Sequence, residues 1–270
     1  HRDLHSFPTR RSSDLYAEDV ARGLLLLEDL GDDTFTRLLG AGADEQALYA
    51  LGVDVLIALH ALPAAQAIPA GLPDYDLDRL LKEALLFVDW YLPAVTGCAP
   101  APSERAGYIE AWREVLPLVL AQPRTLVLRD YHVDNLLRLA DCDGLGACGL
   151  LDFQDAVAGA PAYDLMSLLE DARRDVAGDL RAEMLARYHE GARPSDGQGF
   201  ATAYAILAAQ RHAKVIGIFT RLSRRDGKHG YLVHIPRVWG LLDRALANAA
   251  LAPVAAWFDR HVPAEVRGTA

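Results

Sequence analysis

Sulfur chemistry has little to work with in this sequence. Three cysteines, Cys98, Cys142 and Cys148, stand in 270 residues. An odd number gives no disulfide framework, and their spacing is not that of a metal site. A reduced, cytoplasmic setting is the simplest reading. Positive charge is short as well: 27 Lys and Arg against 37 Asp and Glu leave a net charge of −10. A nucleic-acid surface wants basic stripes, so no nucleic-acid partner is expected. ATP is not excluded, because Mg²⁺ and local groups handle its phosphates. No apolar run approaches the roughly 18 residues of a membrane span, and Leu24–Leu27 is only strand-length. No protein partner is evident.

Two common phosphate-binding signatures are missing. No G-x-x-x-x-G-K-S/T occurs, which argues against a P-loop. Gly144-Leu145-Gly146-Ala147-Cys148-Gly149 formally matches G-x-G-x-x-G. A dinucleotide fingerprint must open a helix, whereas these residues run into a strand ending at Asp152. A hairpin turn is expected there instead.

What is present is apolar periodicity. The chain is 51% hydrophobic and 24% charged, enough for a sizeable core in one large or two small domains. Leu48, Leu51, Val55 and Leu59 predict a helix over 44–62. Asp74 or Asp76 caps a second, carrying Leu77, Leu80, Leu81, Leu85 and Val88 toward Trp90. Pro93, Gly97, Pro100 and Pro102 predict a loop. Further helices are expected over 103–120, 163–173, 179–189, 199–222 and from Pro236 to about Ala250. There is no internal repeat and no low-complexity tract.

One stretch carries chemistry. Leu126-Val127-Leu128 reads as a short strand that breaks into Arg129-Asp130-Tyr131-His132-Val133-Asp134-Asn135, and a hairpin then leads to Leu150-Leu151-Asp152. An Asp, an Asn five residues on and a second Asp are the set that phosphoryl transfer uses. One carboxylate takes the acceptor's proton, while the Asn and the other carboxylate hold Mg²⁺ on the phosphates. Asp130 is the candidate general base, against a turn-capping Asp; Asn135 and Asp152 are the candidate Mg²⁺ ligands.

This order resembles the kinase-like phosphotransferases, in particular the aminoglycoside phosphotransferase superfamily. Asp152-Phe153-Gln154-Asp155-Ala156 with Gly159, Pro161 and Tyr163-Asp164-Leu165, and Gln210-Arg211-His212-Ala213-Lys214 with Arg225-Asp226-Gly227-Lys228, look like the anomeric N-acetylmuramate/N-acetylglucosamine kinases of bacterial cell-wall recycling. The likeness runs from about Tyr16 to about Leu246. It departs from the aminoglycoside kinases at Leu128, where they carry His, and at Arg129, where they often carry Gly. The resemblance implies an α+β fold: a kinase-like C-terminal lobe, mostly helical, with a short catalytic β-hairpin. It implies ATP and Mg²⁺ as cofactors. Leu24–Leu27 becomes a buried strand, and Glu28, Asp29 and Leu30 a hinge that meets the adenine edge. Asp164 accepts amide hydrogens from the catalytic loop, unless it is an ordinary helix-dipole acid. His132 contacts the sugar or a phosphate, or merely fills space. Asp155 faces the metal shell or the substrate. Arg211, with His212 and Lys214, reaches an anionic substrate or forms a solvated helix face.

Such enzymes also carry a phosphate lid and a strand Lys upstream of the hinge. Residues between Leu15 and Leu27 include no Lys. The expectation is therefore a chain lacking most of its N-terminal ATP lobe, inactive or nearly so. Residues 1–15 read as a non-native tail, in which His1-Arg2-Asp3-Leu4 mimics a catalytic loop but has Pro8 where the metal-binding Asn belongs. Residues 16–33 read as the remnant of the lobe and its hinge, and 34–270 as the helical lobe. The activity implied is transfer from ATP to the anomeric hydroxyl of an N-acetylated amino sugar. The alternatives are an aminoglycoside, choline or homoserine kinase, or a non-catalytic kinase-like binding domain.

Overall fold

The structure, a computed structural model, describes residues 11–269. Strands β1 (Arg11–Ser12), β2 (Leu15–Asp19) and β3 (Leu24–Leu27) come first. Helices α1 (Phe35–Gly40), α2 (Glu45–His60), α3 (Ala64–Ala67), α4 (Leu77–Leu86), α5 (Leu92–Thr96) and α6 (Pro102–Leu120) follow. Then come β4 (Thr125–Val127), β5 (Leu136–Arg138), β6 (Cys148–Leu150) and β7 (Val157–Gly159). The chain continues through α7 (Ala162–Leu169), α8 (Gly178–Ala192), α9 (Gly197–Asp226), α10 (Ile235–Leu246) and α11 (Ala252–His261). It divides into two compact units. No helix among the described residues is long and apolar enough to cross a membrane.

The first unit takes in the chain up to Pro73, Arg124–Leu169 and Ala177–Ser195. Asp44 caps α2 by accepting the Ala47 amide at 3.1 Å, as a short polar side chain does at a helix start. Leu48, Val55, Leu56 and Leu59 on α2 are buried. Helix α8 lies against α2, and Arg187 makes a two-pronged ion pair with Asp54, at 2.6 and 2.7 Å. Strands β5 and β6 form the expected antiparallel hairpin, with Leu136 opposite Leu150. The glycine-rich run forms only a short 3₁₀ turn (Gly144–Ala147) before β6, so no helix opens there. Strand β4 pairs antiparallel with β7, which the sequence did not reveal.

Leu24–Leu27 is a strand, paired with β2, but it is not buried: its leucines stay 47–62% exposed. A leucine run signals apolarity; it does not say whether a second layer covers it. The segment set aside as a tail is described only in part. Its residues 1–10, including His1–Leu4, lie outside the described residues, while Arg11–Ser12 pairs parallel with β6.

The second unit comprises Asp74–Pro123, Glu170–Val176 and Asp196–Ala270. Asp76 caps α4, accepting the Arg79 amide at 2.9 Å. The loop expected at Pro93 is helical instead. The chain widens into a π turn over Phe87–Tyr91, where the Leu92 amide reaches Phe87 O, and α5 runs on to Gly97 at φ 80°. Proline has no amide for the α-helical ladder, and a wide turn just before it accommodates the gap. Phe87 stands at the centre of an aromatic cluster with Tyr91, Trp239 and Phe258, at centroid distances of 5.1, 5.6 and 4.9 Å. Helix α9 crosses α4 at Gly217, where an added Cβ would run into the Leu86 backbone. Helix α7, expected to reach residue 173, stops at Leu169. The Asp171 side chain accepts the Arg173 amide at 2.8 Å, a local turn that competes with helix.

Candidate active site

The site lies within the first unit. Strand β4 ends at Val127, and Arg129 turns the chain out of line at φ 69°. That turn is held from below by Asp164, in the first turn of α7 and fully buried. Its two carboxylate oxygens accept the Leu128 amide at 2.7 Å and the Arg129 amide at 2.9 Å. Charge-assisted bonds of this kind are about twice as strong as neutral ones. Of the two readings of Asp164, the loop-holding one describes its contacts.

The next residue, Asp130, is half-buried. Tyr131 then points inward, and its hydroxyl donates to Gly52 O on α2 at 2.7 Å. A side chain at Gly52 would crowd Leu168 and approach that hydroxyl. His132 is buried, with Nδ1 3.8 Å from the Asp134 carboxylate. A 3₁₀ turn over Val133–Asn135 follows. Asp134 accepts the Thr36 hydroxyl, which ties α1 to the loop.

Asn135 joins the two halves of the site. Its Nδ2 donates to Asp130 O at 2.9 Å and lies 3.5 Å from Asp152 Oδ2. Asp152 lies two residues past β6, at φ 58°, and the preceding Leu151 amide bonds to Asn135 O at 3.0 Å. Gln154 Nε2 donates to Asp152 Oδ1 at 2.6 Å. Asp155 is exposed, and its main-chain oxygen accepts Arg129 Nη1 at 3.3 Å. Among the described residues no group of three or more His, Cys, Asp and Glu makes a metal cage by itself. Asn135 turns its amide nitrogen toward Asp152, but an amide oxygen and a carboxylate on neighbouring residues are both hard donors. They suit a cation such as Mg²⁺ that takes few protein ligands and completes its shell from phosphates and water.

Glu28, Asp29 and Leu30 occupy the irregular segment between β3 and α1. Glu28 N bonds to Asp14 O at 2.8 Å, and Asp29 turns the chain by accepting the Gly31 amide at 2.8 Å. Further along, Arg138 N donates to Asp33 O at 2.9 Å, so the segment runs beside β5 and the catalytic hairpin.

Arg211 belongs to the second unit, on α9. The picture of a solvated face there is wrong: Arg211 is 5% exposed and His212 is fully buried. His212 Nε2 meets Glu170 at 2.8 Å, and Lys214 meets Glu83 at 3.1 Å. Acids from distant sequence pair with His212 and Lys214, which no helical period could announce. The sequence reading also missed Tyr131, Thr36 and Gly52. The one available signal was a glycine inside the α2 pattern, a mark of close approach. Cys148 is no nucleophile, since burial pushes its thiol up to about 12.

Comparison with known proteins bears on this arrangement. A family model described as "Phosphotransferase enzyme family" matches residues 3–205. An N-acetylmuramate/N-acetylglucosamine kinase of Caulobacter vibrioides is 41% identical over 257 residues, covering 93% of this chain and 70% of that protein. Its namesake from Neisseria meningitidis is 36% identical, with 87% and 71% covered. That from Pseudomonas aeruginosa is 37% identical, with 87% and 68% covered. Among solved structures, the GDP complex of an aminoglycoside 2'-phosphotransferase-IIIa superposes with a TM-score of 0.57 at 18% identity, covering 88% of this chain and 76% of that one. A choline/ethanolamine kinase family protein from Mesorhizobium loti gives 0.56 at 14% identity, covering 91% and 76%. These likenesses show the fold: the kinase-like one, with few strands and many helices.

Proposed function

The chain belongs to the phosphotransferase enzyme family, and from that premise we propose that it moves the γ-phosphoryl group of ATP to the anomeric hydroxyl of N-acetylmuramate or N-acetylglucosamine. The observation that carries the substrate is the 41% identity to a kinase of that name over 93% of this chain. The reaction would serve peptidoglycan recycling. We place it in the cytoplasm, where ATP is available and the three free cysteines stay reduced.

In this reading Asp130 accepts the proton of the anomeric hydroxyl as its oxygen bonds to the γ-phosphorus, while the bond from that phosphorus to the β–γ bridging oxygen breaks and ADP leaves. Its loop is kept in place by Asp164 and by Tyr131. A base must be positioned to a fraction of an ångström to count. Asn135 and Asp152 would hold Mg²⁺, which when bound offsets charge on the phosphates. Residues 16–33 supply a strand pair and the hinge, with Glu28, Asp29 and Leu30 at the adenine edge; residues 34–270 form the helical lobe. His132 and Asp155 contact sugar or phosphate.

The test offers this chain Mg²⁺, ATP and one of four alcohols: N-acetylmuramate, N-acetylglucosamine, choline or kanamycin. Transfer is read with γ-labelled ATP, and binding by ligand-observed NMR. Binding is read beside turnover, so that even slow transfer leaves the contact with each alcohol measurable. Selective response to the two N-acetyl sugars supports the reading. Preference for choline or kanamycin replaces it with another kinase of the family. No response to any alcohol or to MgATP leaves a non-catalytic binding domain.

A further inference from the structure

We propose that Arg129 is a positioning residue that couples the proton-accepting loop to the loop after Asp152; its role in transfer rests on the reading of Asp130 and Asp152 given above. Among the described residues three that are not glycine have positive φ: Arg129 at 69°, Asp152 at 58° and Arg193 at 45°. Arg193 ends helix α8, an ordinary place for such a conformation. The other two lie in the site. Asp tolerates left-handed backbone comparatively well, because its short side chain bonds locally; a long cationic side chain has no such excuse.

Backbone need alone would be met best by glycine at 129. The arginine is instead held from three sides. Its amide bonds to Asp164 Oδ1 at 2.9 Å, its carbonyl accepts the Ser167 hydroxyl at 3.4 Å, and its Nη1 donates to Asp155 O at 3.3 Å. A strained residue persists where its surroundings over-determine it. The first two contacts use only the main chain, and glycine would keep them. The third uses the side chain. It runs from the residue before the base to a carbonyl three residues past the metal-side Asp152. Asn135 links the same two loops directly at Asp152. Two bridges, one on each side, stop either loop from pivoting about the other.

The experiment uses the full chain as R129G, R129A and R129K. Hydrogen–deuterium exchange is followed in peptides covering 126–135 and 152–158, together with the melting temperature and, in the transfer assay, kcat and KM. R129G should melt no lower than R129A, because it removes the left-handed penalty. In R129G and R129A, exchange over 152–158 should rise by about threefold or more while distant helices stay protected. R129K, which keeps a cationic donor, should fall between these and the wild type. Turnover by R129G should drop about tenfold with KM for the sugar little changed. Unchanged exchange over 152–158 in R129G overturns the coupling, as does a uniform rise along the whole chain. Local deprotection in R129G, beside a wild type that neither transfers phosphate nor binds MgATP, would leave the coupling intact and defeat the kinase reading alone.

Discussion

Asn135 Nδ2 lies 2.9 Å from Asp130 O and 3.5 Å from Asp152 Oδ2, so one amide touches two loops whose anchor residues are far apart in sequence. These contacts, and a third of 3.5 Å to His132 Nε2, all use the nitrogen. The amide oxygen is thereby turned to other work, and a cation is the partner that the neighbouring carboxylate suggests. N135A should raise the Mg²⁺ concentration needed for half-maximal transfer by about tenfold or more, as loss of a ligand does. A magnesium titration at fixed ATP checks it; an unchanged midpoint would remove Asn135 from the metal role.

D130N preserves shape and removes the proton acceptor. Transfer should fall by about 10²- to 10⁴-fold, while sugar binding changes little. Parallel turnover and NMR titration measure both. Equal losses in binding and turnover would mean that Asp130 holds substrate and does not take its proton.

D164A takes away the acceptor for two amides at a fully buried site. Each orphaned buried donor costs about 1–3 kcal/mol. Urea unfolding should therefore show a loss of about 3 kcal/mol, with turnover falling in the molecules that still fold. Y131F, which loses the neutral bond to Gly52 O, should cost about 1 kcal/mol.

His212 predicts a pH dependence. Burial holds its imidazole below the ordinary 6.5; Glu170 pulls the other way, and Arg211 and Arg244 add to the lowering. Below about 6.5 the unfolded chain takes up a proton that the folded chain declines. Stability should therefore decline as pH falls through 6.5 toward the folded value, and this contribution should be flat above it. Urea midpoints between pH 5.5 and 8 for wild type and H212Q give the comparison. The wild type should show the extra slope, and H212Q should lose it.

G217A places a methyl group against the Leu86 backbone. Backbone gives way less than a side chain, so the cost should reach about 2 kcal/mol or more. A thermal melt equal to wild type would mean that α9 and α4 can move apart without loss.

The parts of this fold that were legible in sequence are local ones. The helix expected over 44–62 and the cap expected at Asp74 or Asp76, found at Asp76, were legible because periodicity and capping are settled within a few residues. The hairpin into Asp152 was legible because a glycine-rich turn between two apolar runs has few other solutions. Burial of Arg211 and His212 was not, since it depends on Glu170 and on packing from other helices. Exposure of Leu24–Leu27 was not, since a strand's composition does not say what covers it. The pairing of β4 with β7 joins residues about thirty positions apart, and three-residue strands leave almost no periodicity to detect.

The π turn over Phe87–Tyr91 sets a phase as well as a bend. Carrying a five-residue reach where the flanking helices use four, it holds one residue more than a regular path would. A helix advances about 100° per residue, so removing that residue would swing everything downstream by over a quarter turn. Tyr91 would leave its 5.3 Å contact with Trp239. Relatives that gain or lose a single residue between α4 and α5 should do so inside this turn and change Pro93 with it, whereas a gap within α4 would break the aromatic cluster.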